Sequence, residues 1–309
     1  MADVKVIYIL GYARGGSTIL GNILGEQDGF FHAGELCYLW SRGNRGERSR
    51  RCGCGLRVPD CPVWSPVLSS LLSGPNDALA AADGEERVRS RSGWPLVWAP
   101  SRRTEARFAP FLDLTERLYR RVLDVTGARV IVDSSKNPRY GALLAMIPAF
   151  DVRFVHLVRD PRAMVYSRQR RRMDREGAGA RIHKGTLAKD ALEWAGKNLE
   201  AEVVRRRSST PTPLVRYEDF SRQPATVVEQ VLDAVDEPQA PVAFLTSDAV
   251  QLGTNHTCGG NNRVRAHSGP VHIRQDTAWL EVIPPAHRQT VAWLTLPVLR
   301  RYGYPLRVS

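Results

Sequence analysis

The sequence predicts an α/β fold in which helices flank a central parallel sheet. Short apolar segments rich in β-branched residues lie at 4–10, 130–132 and 152–158, as is typical of strands buried on both faces. A turn with glycine or proline follows each segment, and the segments near residues 17 and 161 then read as helix starts. This alternation of strand, turn and helix is typical of a parallel sheet.

Composition limits the partners and the cellular setting that we expect. The chain has 309 residues and a net charge of +12, with an isoelectric point near 9.9, and this basic balance favours anionic partners. No apolar run reaches the ~18 residues that a membrane span needs, and the amino terminus lacks the pattern of a secretory signal. We therefore expect a cytoplasmic protein that does not span a membrane.

The first strand runs into a turn that has the features of an anion-binding site. The turn and the helix start contribute glycines, hydroxyls and a guanidinium: Gly11, Arg14, Gly15, Gly16, Ser17 and Thr18. Backbone N–H groups at a helix start attract an anion, and glycines let a phosphate approach the backbone closely. The turn lacks the lysine of the P-loop of nucleoside triphosphatases. An ordinary glycine-rich turn between strand and helix is the alternative interpretation.

A second candidate anion site follows the strand at 152–158. Arg159 ends this strand, Asp160 and Pro161 are suited to begin a helix, and Ser167 lies two turns further on. Arg159 and Ser167 can both face one anion. The basic run that continues through residues 168–172 is typical of a solvated helix face, with nucleic-acid binding as the next option.

Two further strand ends supply candidate groups for proton transfer and charge stabilisation. Glu35 follows Gly34 at the end of a predicted short strand, and a carboxylate there can accept a proton from a hydroxyl. A surface glutamate paired with an arginine is the alternative. Lys136 follows the strand at 130–132, where ligands bind beyond the carboxyl ends of parallel strands. Asp133 or Ser134 in the same segment can instead cap the next helix.

The segment "RCGCGLRVPDCPVW" places Cys52, Cys54 and Cys61 within ten residues. Structural zinc requires four ligands, usually in pairs separated by two to four residues, and no fourth ligand is nearby in the sequence. The sequence therefore favours a packed loop or a local disulfide over a metal site. The total of five cysteines does not indicate a regular disulfide framework.

Taken together, these motifs resemble those of sulfotransferases that use 3′-phosphoadenosine 5′-phosphosulfate (PAPS). The Arg-Gly-Gly-Ser-Thr loop resembles their phosphosulfate loop, and Arg159 with Ser167 resembles their 3′-phosphate motif. Gly34-Glu35, the cysteine-rich loop and "VDSSKNP" are similar to features of the bacterial and Golgi-type branch, the sulfotransferase family 3 group. The resemblance implies a P-loop-like sheet. The sequence has no internal repeat and no convincing linker, which favours a single domain over residues 1–309, with residues 65–128 as an insertion on the acceptor side.

The resemblance also implies roles for individual residues. Arg14 and the backbone of residues 15–18 are expected to bind the phosphosulfate, and Arg159 and Ser167 the 3′-phosphate. Glu35 is expected to act as the base, Lys136 to assist at the leaving oxygen and Tyr217 to lie near the adenine. A carboxyl-terminal segment is expected to fold over the cofactor. Its expected contacts with the nucleotide come from Gly260, from either Asn261 or Asn262, and from either Arg263 or Arg265.

The expected reaction moves a sulfuryl group from PAPS to a hydroxyl and releases adenosine 3′,5′-bisphosphate (PAP), with no metal required. In a bacterial setting, a carbohydrate, a glycolipid or a small metabolite is the expected acceptor. Two alternatives remain open at this point. One is an ATP-dependent kinase of P-loop type, for which Asp133 is the one candidate Mg²⁺ ligand, and the other is a basic protein that binds nucleic acid.

Overall fold

Five parallel strands form the central sheet of the computed structural model, which describes residues 4–41, 51–72, 74–176, 184–237 and 246–307. In chain order the strands are β1 (Val4–Gly11), β2 (Phe30–Gly34), β3 (Val130–Lys136), β4 (Phe150–Val158) and β5 (Leu214–Arg216). Their spatial order is β2-β3-β1-β4-β5, and every neighbouring pair is parallel. The predicted parallel α/β architecture is confirmed.

Helices flank the sheet on both faces. Their bounds are α1 (Ser17–Leu24), α2 (Trp64–Leu71), α3 (Pro75–Arg89), α4 (Trp94–Trp98), α5 (Arg102–Thr126), α6 (Pro138–Leu144), α7 (Pro161–Glu176), α8 (Lys184–Arg207), α9 (Tyr217–Arg222), α10 (Pro224–Ala234), α11 (Asn262–Arg265), α12 (Trp279–Val282), α13 (Pro285–Leu294) and α14 (Leu296–Arg301). A separate antiparallel pair consists of β6 (Ala249–Leu252) and β7 (Gly269–His272). None of the described helices combines the length and the apolar character that a membrane crossing requires.

Apart from Lys5, the central strand β1 is apolar, because both faces of the sheet are covered. Val6 and Leu10 point into one hydrophobic cluster, and Ile7 and Ile9 point into a second cluster on the opposite face. Successive side chains of a strand alternate between the two faces, so a strand buried on both sides shows a continuous apolar run.

The segment at 65–128, for which an insertion is predicted, packs against the sheet. Its long helix α5 begins at Ser101, whose side chain accepts a hydrogen bond from the backbone of Thr104, and ends at Gly127 in a left-handed conformation. Phe108 and Leu118 of α5 lie in the same hydrophobic cluster as Val6 of β1. This segment and the sheet therefore share one core, as expected for a single domain.

Strand β3 is longer than the sequence pattern suggests. The apolar run predicts a strand over 130–132, but the strand continues through Asp133 and Ser134 to Lys136. The alternative in which Asp133 or Ser134 caps the next helix is therefore wrong. Asn137 has that role, because its side chain accepts a hydrogen bond from the backbone N–H of Arg139 at 3.0 Å.

Candidate active site

All five strands of the sheet end at the same edge, and each end carries one of the predicted site residues. These residues are Arg14 after β1, Glu35 after β2, Lys136 at the end of β3, Arg159 after β4 and Tyr217 after β5. Parallel strands present their carboxyl ends on one side of a sheet, where ligands of open α/β folds bind. Sheet topology alone therefore gathers residues that are up to about two hundred positions apart in the sequence.

The loop between β1 and α1 has an unusual backbone that depends on glycine. At Gly11 the φ angle is 141°, and a Cβ atom there would lie 2.2 Å from the carbonyl oxygen of Leu157. Gly16, the residue before α1, has a φ angle of 94°. Arg14 adopts a positive φ angle of 69°, which is uncommon for a residue with a side chain. The loop holds a strained conformation next to the start of α1.

The two predicted anion-binding motifs lie in direct contact. Arg14 donates from Nε to the hydroxyl oxygen of Ser167 at 2.9 Å, and Arg159 donates from Nη1 to the carbonyl oxygen of Arg14 at 3.0 Å. Both Arg159 and Ser167 are buried. The structure thus joins residues from the β1 loop, the end of β4 and helix α7 into one site rich in hydrogen-bond donors.

Arg159 is held between an aromatic ring and a carboxylate. Its guanidinium lies 4.4 Å from the ring centroid of Tyr217, and Nη2 is 3.3 Å from a carboxylate oxygen of Asp276. Its buried Nε has no hydrogen-bond partner within the described part of the chain. Asp276 is a residue that sequence reasoning missed, because a single acidic residue in a polar segment has no distinguishing local pattern.

Tyr217 packs directly on the glycine loop. A Cβ atom on Gly16 would lie 2.6 Å from Cδ2 of Tyr217, so the ring occupies the space that a side chain would need. The Tyr217 hydroxyl donates to the carbonyl oxygen of Arg274 at 3.2 Å. Burial raises the pKa of Tyr217, which keeps its hydroxyl protonated.

Glu35 and Lys136 form an ion pair at the same edge of the sheet. Lys136 Nζ lies 2.6 Å from Glu35 Oε1 and also donates to the carbonyl oxygen of Ser134 at 2.6 Å. Both side chains are about nine-tenths buried, at 13% and 11% exposure. The alternative of a surface glutamate is wrong, because the Glu35 side chain is largely shielded from solvent and pairs with this lysine.

Behind this pair lies a buried histidine that sequence reasoning did not single out. His32 of β2 contacts Asn22 Oδ1 at 2.9 Å and the hydroxyl of Ser134 at 3.0 Å through its two ring nitrogens. Burial, with a smaller effect of the nearby Lys136 charge, lowers the pKa of His32 to about 3. The neutral ring therefore links β2, β3 and α1 beneath the site. Its position in a buried strand was the available signal.

Asp133 is a structural residue. It is fully buried, accepts a hydrogen bond from the Tyr119 hydroxyl at 2.5 Å and another from the backbone N–H of Ser135 at 2.7 Å. Burial raises the pKa of Asp133 to about 6. Both of its oxygens are engaged inside the core, which argues against a role as a ligand of Mg²⁺ in a kinase.

A carboxyl-terminal segment covers the start of α1. The backbone N–H of Asn261 donates to the Thr18 hydroxyl at 3.1 Å, and a Cβ atom on Gly260 would lie 3.0 Å from the same oxygen. Arg265 is buried, and its carbonyl oxygen accepts a hydrogen bond from Asn255. The side chains of the other two candidates, Asn262 and Arg263, lie outside the described residues.

Two arginines of the basic run within α7, Arg168 and Arg170, are engaged in ion pairs. Arg168 lies 3.3 Å from Asp190 and 3.4 Å from Glu193, and Arg170 lies 3.8 Å from Asp276. The side chains at 171 and 172 lie outside the described residues. Charges neutralised within the protein contribute little to binding a nucleic-acid backbone.

The three clustered cysteines are free thiols, so the local disulfide that the sequence allowed is not formed. His256 approaches them from a segment about two hundred residues away, with its Nδ1 atom 3.2 Å from Cys61 Sγ. The fourth potential ligand that the sequence lacks nearby is thus supplied by the fold.

Residues 6–241 match the model of the sulfotransferase family. The chain belongs to the sulfotransferase family. Among solved structures, a sulfotransferase domain from the curacin biosynthetic pathway is similar, with a TM-score of 0.56, 17% identity and coverage of 98% of this chain and 99% of that one. The sulfotransferase domain of the Synechococcus PCC 7002 olefin synthase has a TM-score of 0.52 and 19% identity, covering 98% and 96%. No curated protein sequence matches the chain. The two structures show that the whole chain shares their fold.

Proposed function

We propose that this sulfotransferase moves a sulfuryl group from PAPS to a hydroxyl acceptor, with Glu35 as the general base. The observation that carries the proposal is the contact between Arg14, Arg159 and Ser167. PAPS carries phosphate groups at two positions of one ribose, so its binding requires two adjacent anion sites. This contact brings the two predicted anion-binding motifs next to each other. Membership of the family supplies the reaction class.

In this proposal the nucleotide spans the two motifs. The 5′-phosphosulfate lies on the turn before α1, where Arg14, the backbone N–H groups and the hydroxyls converge. The 3′-phosphate pairs with Arg159 and Ser167, and the unpartnered Nε of Arg159 provides a donor for it. Tyr217 lies beside the adenine. The groups assigned to the donor are Arg14, Gly15, Gly16, Ser17, Thr18, Arg159, Ser167, Tyr217, Gly260 and Arg265.

Glu35 and Lys136 divide the chemical step between them. The acceptor hydroxyl gives its proton to the Glu35 carboxylate as its oxygen forms a bond to sulfur. The bond between sulfur and the phosphate oxygen breaks, and PAP leaves with that electron pair. Lys136, released from Glu35 as the carboxylate gains a proton, stabilises negative charge on the leaving oxygen. In this proposal Glu35 and Lys136 carry out the step without a metal ion.

The acceptor in this proposal is a carbohydrate, a glycolipid or a small metabolite, and it approaches from the side of the insertion at 65–128. Trp94 and Trp98 of α4 are about half exposed there, at 49% and 51%. The Arg139 guanidinium lies 5.7 Å from the ring of Trp94. Exposed indole rings can pack against the apolar face of a sugar or an acyl chain.

Nucleotide binding tests the donor assignment. Calorimetric titration is expected to give tight binding of PAP and at least roughly tenfold weaker binding of adenosine 5′-monophosphate, because the 3′-phosphate is then missing. The variant Arg159→Ala should abolish this difference. Arg153→Ala is a matched control, since Arg153 lies on the same strand β4 and pairs with Asp151 and Asp236 instead.

Equal affinity for the two nucleotides in the wild-type protein would overturn the donor assignment. A preference for ATP would favour the kinase alternative. Binding of an oligonucleotide that weakens steeply with salt, without any binding of PAP, would favour the nucleic-acid alternative.

Turnover tests the base. PAP release from PAPS, measured with a panel of sugar and alkyl alcohols as acceptors, should fall roughly 100-fold or more in Glu35→Gln. The affinity for PAP should stay within about twofold of wild type, because Glu35 is not assigned to the nucleotide. Unchanged turnover in this variant would remove Glu35 from the role of base.

A further inference from the structure

We propose that Cys52, Cys54, Cys61 and His256 bind a structural Zn²⁺ ion. One potential ligand atom from each of these side chains lies within 4.8 Å of all the others. Cys52 and Cys61 are buried, and Cys54 and His256 are partly buried. Three thiols and an imidazole form one of the recurrent ligand sets of structural zinc sites.

The spacing of the ligand atoms matches a tetrahedral zinc ion. With Zn–S bonds of about 2.3 Å and Zn–N bonds of about 2.0 Å, tetrahedral angles place sulfurs about 3.8 Å apart and sulfur and nitrogen about 3.5 Å apart. The observed Sγ–Sγ distances are 3.5 Å for Cys61–Cys52 and 3.9 Å for Cys54–Cys61. From His256 Nδ1 the distances are 3.2 Å to Cys61 and 3.9 Å to Cys52.

Local backbone structure aims the three thiols at one point. The backbone N–H of Cys52 donates to the carbonyl oxygen of Leu56, and the carbonyl oxygen of Cys52 accepts from the backbone N–H of Gly55. These bonds close a tight turn in which Gly55 has a φ angle of 87°. A short 3₁₀ helix over Val58–Asp60 then returns the chain to Cys61. The single residue between Cys52 and Cys54, which argued against zinc in the sequence, is accommodated by this turn.

The fourth ligand comes from the carboxyl-terminal segment, which is fixed by its own hydrogen bonds. The carbonyl oxygen of His256 accepts from Trp64 Nε1 at 2.6 Å, and the carbonyl oxygen of Thr257 accepts from the backbone N–H of Gly53 at 3.0 Å. Four protein ligands leave no open coordination position, so the ion would serve structure and not catalysis.

The proposed ion supports the candidate active site from outside it. Two residues after His256, Cys258 donates its backbone N–H to the Ala33 carbonyl oxygen and accepts from the Glu35 N–H, each at 2.8 Å. Three residues later, Asn261 contacts Thr18 at the start of α1. A zinc ion would thus clamp the cysteine-rich loop to the segment that lies along Glu35 and the glycine loop.

Metal analysis tests the proposal without reference to sulfuryl transfer. The full chain, purified without chelator and freed of any histidine tag, should contain about one zinc ion per molecule, as measured by inductively coupled plasma mass spectrometry. The variant Cys61→Ala should lose nearly all of it. Cys37→Ala should keep it, because Cys37 is a buried free thiol outside the cluster.

Two further measurements guard against a variant that fails to fold. Cobalt added to metal-free wild-type protein should give the intense visible bands of a tetrahedral thiolate site, and His256→Ala should alter them. Chelation should lower the midpoint of thermal unfolding, and Zn²⁺, but not Mg²⁺, should restore it. Metal-free protein that does not take up cobalt, zinc retained by Cys61→Ala, or a disulfide among these cysteines would overturn the proposal. Failure of PAP binding with zinc present would leave this site standing and remove only the proposed function.

Discussion

The variant Gly16→Ala is a sharp test of the way the glycine loop and Tyr217 pack together. Gly16 has a φ angle of 94°, a region in which a side chain costs about 1–2 kcal/mol. Its new Cβ atom would also lie 2.6 Å from Cδ2 and 3.0 Å from Cε2 of Tyr217, and overpacking of this kind costs roughly 1–3 kcal/mol. We therefore expect a loss of about 2–5 kcal/mol in the free energy of unfolding.

A matched variant separates the two contributions. Gly127→Ala introduces the same side chain at a φ angle of 66°, where no atom lies within 4 Å of the new Cβ. It should cost only the backbone contribution, about 1–2 kcal/mol. In the background of Tyr217→Ala the ring is absent. There the loss in the free energy of unfolding caused by Gly16→Ala should decrease to that caused by Gly127→Ala.

Urea unfolding of the four variants and the wild type measures this coupling as a double-mutant cycle. Two results would contradict the predicted contact. In one, Gly16→Ala destabilises the protein no more than Gly127→Ala; in the other, Gly16→Ala costs the same free energy of unfolding with and without the Tyr217 ring. Either outcome would mean that the ring does not rest on the loop.

Three further variants test buried charges and the surroundings of Arg159. Arg139→Ala removes the guanidinium that lies 2.5 Å from the buried Glu200 carboxylate and leaves Lys197, 2.8 Å away, as its remaining described cation. The free energy of unfolding in urea titrations should fall by about 2 kcal/mol, less than for a fully unpaired buried charge, and a loss below about 1 kcal/mol would contradict this. Burial lowers the pKa of His156 to about 4, so the unfolded chain binds a proton there between about pH 4 and 6.5 that the folded chain does not. The stability that the neutral His156 contributes is present above about pH 6.5 and is lost as the pH falls towards 4. His156→Gln should therefore reduce the slope of the free energy of unfolding against pH in this range by up to about 1.4 kcal/mol per pH unit, and an unchanged slope would refute this. Asp276→Asn removes a negative charge 3.3 Å from Arg159 and should tighten PAP binding several-fold by calorimetry, whereas weaker binding would show that Asp276 positions Arg159 for the nucleotide.

Local sequence patterns accounted for much of the fold. The apolar run of β1, the glycine turn and the helix from Ser17 follow from side-chain periodicity and backbone preference, which act over a few residues. The same reasoning located the strand ends that carry Glu35, Lys136 and Arg159. It erred at Asp133 and Ser134, where the strand continues, because burial by neighbouring strands overrides the turn preference of polar residues.

The sequence by itself determined the positions of β1, β3 and β4 and the starts of α1 and α7, and it placed polar groups where those strands end. Only the tertiary structure decided which of those groups meet: Arg14 with Ser167, Glu35 with Lys136, and His256 with Cys61. The physical reason is that these contacts depend on the order of the strands in the sheet and on the path of the carboxyl-terminal segment. Both result from packing between residues far apart in the chain, which no local periodicity encodes.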